Sequence, residues 1–191
     1  AAAQRIPAHI IGDGKSTIKK LIDRINQDPQ RGEGHEKSLT RISIDDKLES
    51  NLARYGYSLK SIPKKGEKVY LYQTANLSTG GTAIDCTDKV HPHNRELAIR
   101  AAKTIALDIA GVDIITTDIS KPLTSTGGAI IEVNAAPGIR MHQSPSQGEK
   151  REVAKAIVDL LAPDRIPIIS VTGTNGKTTT TRMIATMLQE I

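Results

Sequence analysis

The residues GTNGKTTT near the end of the sequence form a glycine-rich loop between an apolar run and a helical pattern. Glycines let backbone N–H groups approach a phosphate closely, and a helix that follows adds the positive end of its dipole. In this pattern the lysine reaches the β- and γ-phosphates and the next hydroxyl holds Mg²⁺. The expected nucleotide contacts are Gly173, Thr174, Asn175, Gly176, Lys177, Thr178 and Thr179, with Thr178 also a metal ligand.

The loop is a short form of the phosphate-loop pattern. The common pattern has one more glycine six positions before the lysine, and Val171 stands there. A plain glycine turn between a strand and a helix is the alternative. The surrounding strand, loop and helix signals favour the phosphate loop.

Oxygen-bearing side chains in the segments TTDIS and IIEVNAAPG form a second group. Glu132 and Asn134 are two residues apart on a predicted strand, so they project from the same face. A Ser-Thr-Gly-Gly turn predicts a hairpin that brings Asp118 beside that face. Carboxylate and amide oxygens suit Mg²⁺. On the residues alone, an equally good alternative is that Asp118 caps a turn and Asn134 makes an Asx-turn before Pro137.

A third group lies in the segment NLSTGG and in the segment GIRMH. The hydroxyls and close backbone amides of Ser78, Thr79, Gly80 and Gly81 can hold a phosphate or a carboxylate. Arg140 can bind the same anions through two parallel N–H groups. A surface arginine without a special contact is the alternative for Arg140.

Composition excludes several classes of protein. The chain has one cysteine, Cys86, so it has no internal disulfide and no cysteine-cluster zinc site, as expected of a cytoplasmic protein. His91 and His93 lie in a loop without a matching second pair, so we do not expect zinc there. No run approaches the ~20 apolar residues of a membrane span. A net charge of +5 favours anionic partners, but the absence of Phe and Trp argues against stacking on nucleic acid bases.

Two helices are predicted in the first third of the chain. Ser16 or Thr17 is placed to cap the first, whose isoleucines and leucine recur at helical spacing. The second, in SIDDKLESNLARYGY, should bury Leu48, Leu52 and Tyr55 on one face. With no Phe or Trp available, the core should consist of aliphatic side chains.

The segment RELAIRAAKTIALDIAG predicts a third helix, with Asn94 as its cap and Gly111 at its end. The segments VDIITTDIS and AIIEVNAAPGI predict two strands, and EKREVAKAIVDLLAP a further helix. IISVTG predicts a buried strand before the phosphate loop. The prolines of PDRIP predict a boundary between domains 1–162 and 163–191 in a chain of the α/β class.

These segments resemble the cyanophycin synthetases. The likeness is carried by NLSTGGTAIDCTDKVHPHN, GVDIITTDIS, IIEVNAAPGIRMH and ISVTGTNGKTTTTRMI, and it extends from about Arg5 to the end. It implies that residues 1–162 are the C-terminal portion of an ATP-grasp domain. Residues 163–191 would then be the start of a Mur-ligase-like domain.

The resemblance implies an ATP-dependent ligase that forms amide bonds through acyl phosphates. In this family one site adds aspartate to a poly-aspartate backbone and another joins arginine to its side chains. The implied partners are ATP, Mg²⁺, aspartate, arginine and the growing polymer, in a homo-oligomer without membrane or nucleic acid. Asp118, Glu132 and Asn134 are then magnesium ligands, the Gly173–Thr179 loop binds nucleotide, and Arg140 and Lys177 act in catalysis.

Some features depart from the family. Ile139 stands where its members usually have Phe, and the upstream ATP-grasp elements and most of the Mur-like domain are missing. We therefore expect this segment alone to make no polymer. The alternatives are another ATP-grasp carboxylate–amine ligase, a plain Mur ligase, and a non-catalytic module that binds polyanions.

Overall fold

The computed structural model describes residues 1–34, 36–162 and 169–189. The chain divides into two compact units, Ala1–Ile157 and Val158–Ile191. The predicted joint at Pro163–Pro167 lies outside the described residues. The predicted domain boundary falls between residue 162, which the structure describes, and residue 163, which lies outside the described residues. This boundary stays a prediction.

The strands of the described residues pair two by two. β1 pairs with β6, β2 with β5 and β7 with β8, all antiparallel, whereas β3 and β4 are parallel. Their bounds are β1 Ala3–Ile6, β2 His9–Ile11, β3 Arg31–Gly32, β4 Leu39–Thr40, β5 Lys68–Tyr70, β6 Thr82–Asp85, β7 Gly111–Ile115 and β8 Ala129–Asn134.

The helices range from a single turn to 13 residues. No helix among the described residues is long and apolar enough to cross a membrane. Two 3₁₀ turns lie at Leu77–Thr79 and Thr87–Lys89. The α-helices are α1 Ile18–Ile25, α2 Asp46–Arg54, α3 Pro92–Thr104, α4 Leu123–Thr126, α5 Arg140–Gln143, α6 Val153–Leu161 and α7 Lys177–Gln189.

The core of the first unit is aliphatic, as predicted. It joins α1 and α2 to the β2–β5 pair, and each fully buried side chain contributes about 1.5–3 kcal/mol. Its most deeply buried aliphatic members are Ile10, Ile18, Ile22, Leu48, Leu52 and Leu71.

The first helix begins at Thr17, one of its two predicted caps, and the second begins at Asp45, for which no cap residue was predicted. Thr17 Oγ1 accepts a hydrogen bond from the Lys20 amide at 3.4 Å, and Asp45 Oδ1 accepts one from the Leu48 amide at 2.8 Å. Tyr55 was predicted on the buried face of α2, and this is wrong, because its side chain is 58% exposed. The residue is the C-terminal cap, where the helical spacing no longer applies.

The predicted bounds of the third helix are also wrong. α3 begins at Pro92 and ends at Thr104, with His91 as its cap, so neither Asn94 nor Gly111 limits it. Proline suits the first helical position because that position needs no N–H donor. Asn94 is instead fully buried within the first turn.

Asn94 fastens the connection between β7 and β8 to α3. Its Nδ2 donates to the carbonyls of Ile119 at 3.0 Å and Lys121 at 2.7 Å. Its Oδ1 accepts from the amide of Leu123 at 2.9 Å. Three backbone groups of an irregular segment thus find partners on one buried side chain, as buried polar groups require.

The apolar segment before the phosphate loop forms no strand in its described part, contrary to prediction. Residues 169–172 have no regular structure, and the Ile169 side chain is 57% exposed. A strand needs a hydrogen-bonded partner, and the described residues of the second unit contain no other strand. The loop and the helix α7 follow as predicted.

We expect Asn94→Ala to lower the free energy of unfolding by about 2–4 kcal/mol, because it leaves buried backbone groups without partners. Urea denaturation of the chain measures the change. Asn51→Ala is the matched control, since Asn51 makes two longer bonds of 3.2 Å to Tyr70 and Leu71 nearer the surface. Equal losses for both variants would contradict the role given to Asn94.

Asp85 and Arg151 form an ion pair that links β6 to the segment before α6. Arg151 Nη2 lies 2.7 Å from Asp85 Oδ2, and the Asp85 side chain is only 7% exposed. The hydrogen bond from Arg151, followed by one from Thr87, holds the pKa of Asp85 well below its usual range. A carboxylate with a depressed folded-state pKa stabilises the fold above its unfolded pKa.

We therefore expect the stability difference between the wild-type chain and Asp85→Asn to be largest near pH 7. It should shrink as pH falls below about 4, the unfolded pKa of aspartate, because the unfolded chain then binds a proton that the folded carboxylate, with its lower pKa, does not yet bind. Urea denaturation at pH 7, 5, 4 and 3 measures it. Asp88→Asn is the control, because Asp88 contacts the same arginine with a side chain that is 74% exposed. A difference that does not change with pH would refute this account.

Candidate functional site

The β7–β8 hairpin has the antiparallel pairing that the sequence predicts. Asp113 lies opposite Glu132 and Gly111 lies opposite Asn134. Directly opposed residues share a face, and so do residues two apart on one strand. One face therefore carries Asp113, Glu132 and Asn134. The register shifts beyond Asp113, where β8 has the unpaired residue Ile131.

Asp113 is a member of this group that the sequence analysis missed. The predicted strand VDIITTDIS contains two aspartates, and the later one is nearer to the predicted hairpin turn. The signal that could have found Asp113 is cross-strand register: a bulge and a long connection shift the pairing by several residues. Arg5 Nη2 donates to Asp113 Oδ2 at 2.6 Å, so a cation already balances this carboxylate.

Asp118 lies in the connection after β7. It accepts hydrogen bonds from the Ser120 hydroxyl at 2.6 Å and the Ser120 amide at 3.0 Å. Lys121 Nζ lies 3.3 Å away, and these bonds, with those from Ser120 the strongest, lower the pKa of Asp118. This geometry matches the turn-capping alternative. The proposal that Asp118 binds a metal ion stays a prediction, with less support than Asp113 now has.

The donor set on the hairpin face fits magnesium and not a softer metal. Within the described ranges, no three His, Cys, Asp or Glu side chains gather closely enough to hold a metal ion. Asp113, Asp118 and Glu132 consequently do not form such a group. A site on this face needs the amide oxygen of Asn134 beside the two carboxylates Asp113 and Glu132, and oxygen-only sets suit Mg²⁺.

A close packing contact fixes the end of β8. A Cβ atom on Gly111 would lie 2.6 Å from Pro137 Cβ, a distance that real side chains do not reach. The turn after Asn134 therefore folds back directly over Gly111. Only glycine allows this approach, and it sets the backbone position of Asn134 across the strand pair.

The Ser78–Gly81 loop is a 3₁₀ turn that ends in a tight glycine pair. Gly80 has a φ of 89°, and the Gly81 amide donates to the Asn76 carbonyl at 3.1 Å. A Cβ on Gly81 would lie 2.7 Å and 2.8 Å from the carbonyl oxygens of Asn76 and Ile6. Both glycines are buried, and the Ser78 side chain is exposed. The loop therefore presents a hydroxyl on a firmly held backbone.

Arg140 contacts the segment that follows β3. Its Nη1 donates to the Lys37 carbonyl at 3.0 Å, and its Nη2 lies 3.4 Å from Thr40 Oγ1. The guanidinium is half-buried at the start of α5. Both terminal nitrogens of the guanidinium thus have protein partners, and a role in holding a phosphate or carboxylate stays a prediction.

Strand pairing connects the Ser78–Gly81 loop to the acidic face. The loop runs directly into β6, which pairs with β1, and Arg5 of β1 reaches Asp113. The backbone of β6 is also bonded to the segment after α5, where Ser146 and Gln147 contact Ala83 and Asp85. The two groups of candidate residues thus stand on neighbouring elements of the first unit.

The phosphate-loop candidate lies in the second unit. Gly173 and Gly176 have φ values of 145° and 80°, conformations that favour glycine. Lys177 begins α7, and its Nζ donates to the carbonyls of Gly173 at 2.5 Å and Thr174 at 3.3 Å. Thr178 and Thr179 follow in the first turn, exposed. The lysine therefore folds over its own loop, and its contact with a nucleotide stays a prediction.

Cys86 and His91 have ordinary structural roles. Cys86 is half-buried, and burial raises the pKa of its thiol, which does not favour a nucleophile. His91 Nδ1 accepts from the His93 amide at 3.2 Å and so caps α3.

Residues 69–161 match the family profile described as the RimK-like ATP-grasp domain. The chain is 61% identical to a cyanophycin synthetase of Trichormus variabilis over 189 residues, 97% of this chain and 21% of that protein. It is 59% identical to one of Synechocystis over 97% of this chain and 22% of that protein. The chain thus spans about a fifth of the length of these curated relatives.

A crystal structure of a bifunctional glutathione synthetase from Pasteurella multocida has the same fold, with a TM-score of 0.68 and 32% identity. That match covers 84% of this chain and 22% of the other. The chain is therefore similar over nearly its whole length to a segment of the cyanophycin synthetases, and its residues 69–161 match the RimK-like ATP-grasp domain.

Proposed function

We propose that this chain is part of an ATP-dependent ligase that forms amide bonds in an aspartate–arginine polymer. The observation that carries the proposal is the register of β7 and β8, which puts Asp113, Glu132 and Asn134 on one face. The identity of 61% to a cyanophycin synthetase supports the choice of substrates. The single cysteine agrees with a cytoplasmic location.

The acidic face is suited to hold Mg²⁺ against the phosphates of ATP. Asp113, Glu132 and Asn134 would be its ligands, and a bound magnesium ion would offset phosphate charge during transfer. Arg5, which is 2.6 Å from Asp113, adds a cation on the same side. In the proposed reaction a substrate carboxylate takes the γ-phosphoryl group and ADP leaves. The amine of an amino acid then displaces phosphate from the acyl phosphate and forms the amide.

The Ser78–Gly81 loop and Arg140 are proposed to hold the anionic substrate. The exposed Ser78 hydroxyl stands on a backbone that Gly81 keeps against two carbonyls. Such a hydroxyl can donate to a carboxylate or a phosphate oxygen. These assignments rest on the chemistry of the side chains and on their proximity in the fold. If they hold, Ser78→Ala and Arg140→Gln should each lower the affinity for the anionic substrate.

The Gly173–Thr179 loop is proposed to bind a second nucleotide, as at the start of a Mur-ligase-like domain. Its glycine conformations support this assignment, and Lys177 and Thr178 have the types that a phosphate loop needs. In this interpretation the two units serve two separate ligations. An arginine-binding residue for the second reaction is not assigned in this chain.

A glutathione-forming ATP-grasp ligase is the second candidate. It is favoured by the shared fold with the glutathione synthetase of Pasteurella multocida at a TM-score of 0.68. A second phosphate loop has no use in a single ATP-grasp ligase, and this favours the polymer-forming enzyme. Comparing aspartate with glycine as the amine in an assay of the full-length protein separates the two.

We expect Asp113→Asn to weaken binding of Mn²⁺ with a non-hydrolysable ATP analogue by about tenfold or more, because a charged ligand is lost. Asp118→Asn should change it less than about threefold, because that side chain caps a turn. Electron paramagnetic resonance of free Mn²⁺ measures the binding. A larger loss of Mn²⁺ binding for Asp118→Asn than for Asp113→Asn would make Asp118 the ligand. Absence of Mn²⁺ binding to the wild-type chain would contradict a complete metal site here.

We expect Lys177→Ala to weaken nucleotide binding at the second unit by about tenfold, because it removes the phosphate-loop cation. Calorimetry in the Glu132→Ala background isolates this binding from the first unit. Arg182→Ala is the matched control, being an exposed cation on the same helix. If both variants lose affinity equally, general positive charge and not the loop explains binding.

A further inference from the structure

A cavity of about 370 Å³ lies beside the Ser78–Gly81 loop, between β2 and α1. Its wall is mostly apolar, and its polar part includes two arginines, His9, Thr82 and the backbone of Gly80. The apolar part includes Ala8, Ile10, Leu21 and Ile25, and the cationic part is Arg24 and Arg31. An apolar hollow with few polar groups is the usual form of a small-molecule site.

Arg31 is a buried cation in this wall, with a side chain and backbone that together are 6% exposed. Its Nη1 donates to the carbonyl of Thr40 at 2.6 Å and to that of Gly80 at 3.0 Å. Both acceptors are neutral. Burial lowers the pKa of Arg31, and the negative charge of Asp28 partly opposes this effect. A guanidinium nevertheless stays protonated in proteins.

The other edge of the Arg31 guanidinium has no protein partner in the described part of the chain. Nε is buried without a hydrogen bond, and Nη2 makes none with a described residue. No carboxylate of those residues lies within 4.0 Å of Arg31 as an ion pair. The charge of Asp28 acts on Arg31 without forming an ion pair, and a buried charge without a paired carboxylate is costly, so such an arginine calls for an anion.

The two nitrogens of Arg31 without a partner indicate which kind of anion would bind. Nε and Nη2 form a parallel pair of donors, which matches the two oxygens of a carboxylate. The apolar wall disfavours the more highly charged and more strongly hydrated phosphate. Arg24 does not supply a second free cation, because its Nη1 lies 3.3 Å from Asp13 Oδ2.

We propose that this cavity is a carboxylate-binding subsite, in which Arg31 binds the carboxylate and the apolar wall takes the carbon chain attached to it. The subsite goes beyond the proposed function, because carboxylate binding at Arg31 needs neither nucleotide nor metal. The contact between Arg31 and Gly80 links it to the Ser78–Gly81 loop, so an occupied subsite also steadies that loop. Where the proposed ligase activity holds, the natural ligand is a carboxylate of its acidic substrate.

The test is a titration of the ¹⁵N-labelled chain followed by nuclear magnetic resonance, without nucleotide and magnesium. Butyrate is the probe, and butyramide is its neutral counterpart of the same shape. Inorganic phosphate is compared at equal ionic strength. The readouts are the Arg31 Nε–H resonance and the backbone amides of Gly80 and Thr82, which also line the cavity.

We expect butyrate to shift these resonances in a saturable way and butyramide and phosphate to leave them unchanged. Arg31→Lys should weaken butyrate at least tenfold, because lysine lacks the paired donors, while Arg24→Gln should stay within threefold of wild type. If Arg31→Lys does not fold, the resonance is assigned by triple-resonance spectra and the wild-type titration decides alone.

Three results would overturn the subsite: no saturable shift with butyrate, an equal shift with butyramide, or a shift with phosphate alone. Failure of the proposed ligase function is seen separately, as loss of Mn²⁺ and nucleotide binding at the acidic face. A chain that binds butyrate at Arg31 but no nucleotide would keep the subsite and reject the ligase proposal.

Discussion

The opposition of two carboxylates on one narrow sheet is the constraint on which the candidate site depends. Asp113 and Glu132 face each other across β7 and β8, and like charges in that position destabilise a strand pair. Arg5 offsets part of this repulsion through its contact of 2.6 Å with Asp113. Glu132 is left exposed, without a described ion pair. The face can therefore form, but its two carboxylates are balanced by only one described cation. A remaining negative charge of this kind favours the binding of a metal cation.

Much of the surrounding packing serves to hold this face and its neighbouring loop in place. Gly111 lets Pro137 fold over the end of the hairpin, and Asn94 fastens the irregular connection on its other side. β1 then joins the hairpin to β6 and the Ser78–Gly81 loop. None of these contacts would touch a substrate directly. Each removes backbone freedom near the candidate site residues, and a binding or catalytic site needs its groups held within about 0.5 Å of the productive position.

Local signals predicted the helices, the hairpin and the aliphatic core, because caps, turns and periodicity act over a few residues. The side chains of Thr17 and Asp45 accept hydrogen bonds from amides three residues ahead, and a spacing this short can be recognised in the sequence alone. Asn94 looked like another cap, but its partners lie 25 to 29 residues away. The position of Asp113 was missed in the same way: whether Asp113 or Asp118 faces Glu132 depends on a register shift that no local pattern reveals. Arg31 is hidden for the same reason, since only the fold shows that it is buried.

The phosphate-loop candidate differs from the acidic face in how its charges are balanced. Its loop carries no opposed charges, and its lysine is satisfied by the carbonyls of Gly173 and Thr174. A nucleotide must therefore offer Lys177 more than these two carbonyls do, and only this difference contributes to affinity. Carbonyl oxygens are neutral acceptors, whereas phosphate oxygens are charged, so the exchange favours the nucleotide. In the proposed function the loop would keep its shape through its own lysine and would release that lysine to a stronger acceptor, whereas on the hairpin face Arg5 pairs with Asp113 and Glu132 has no described ion pair.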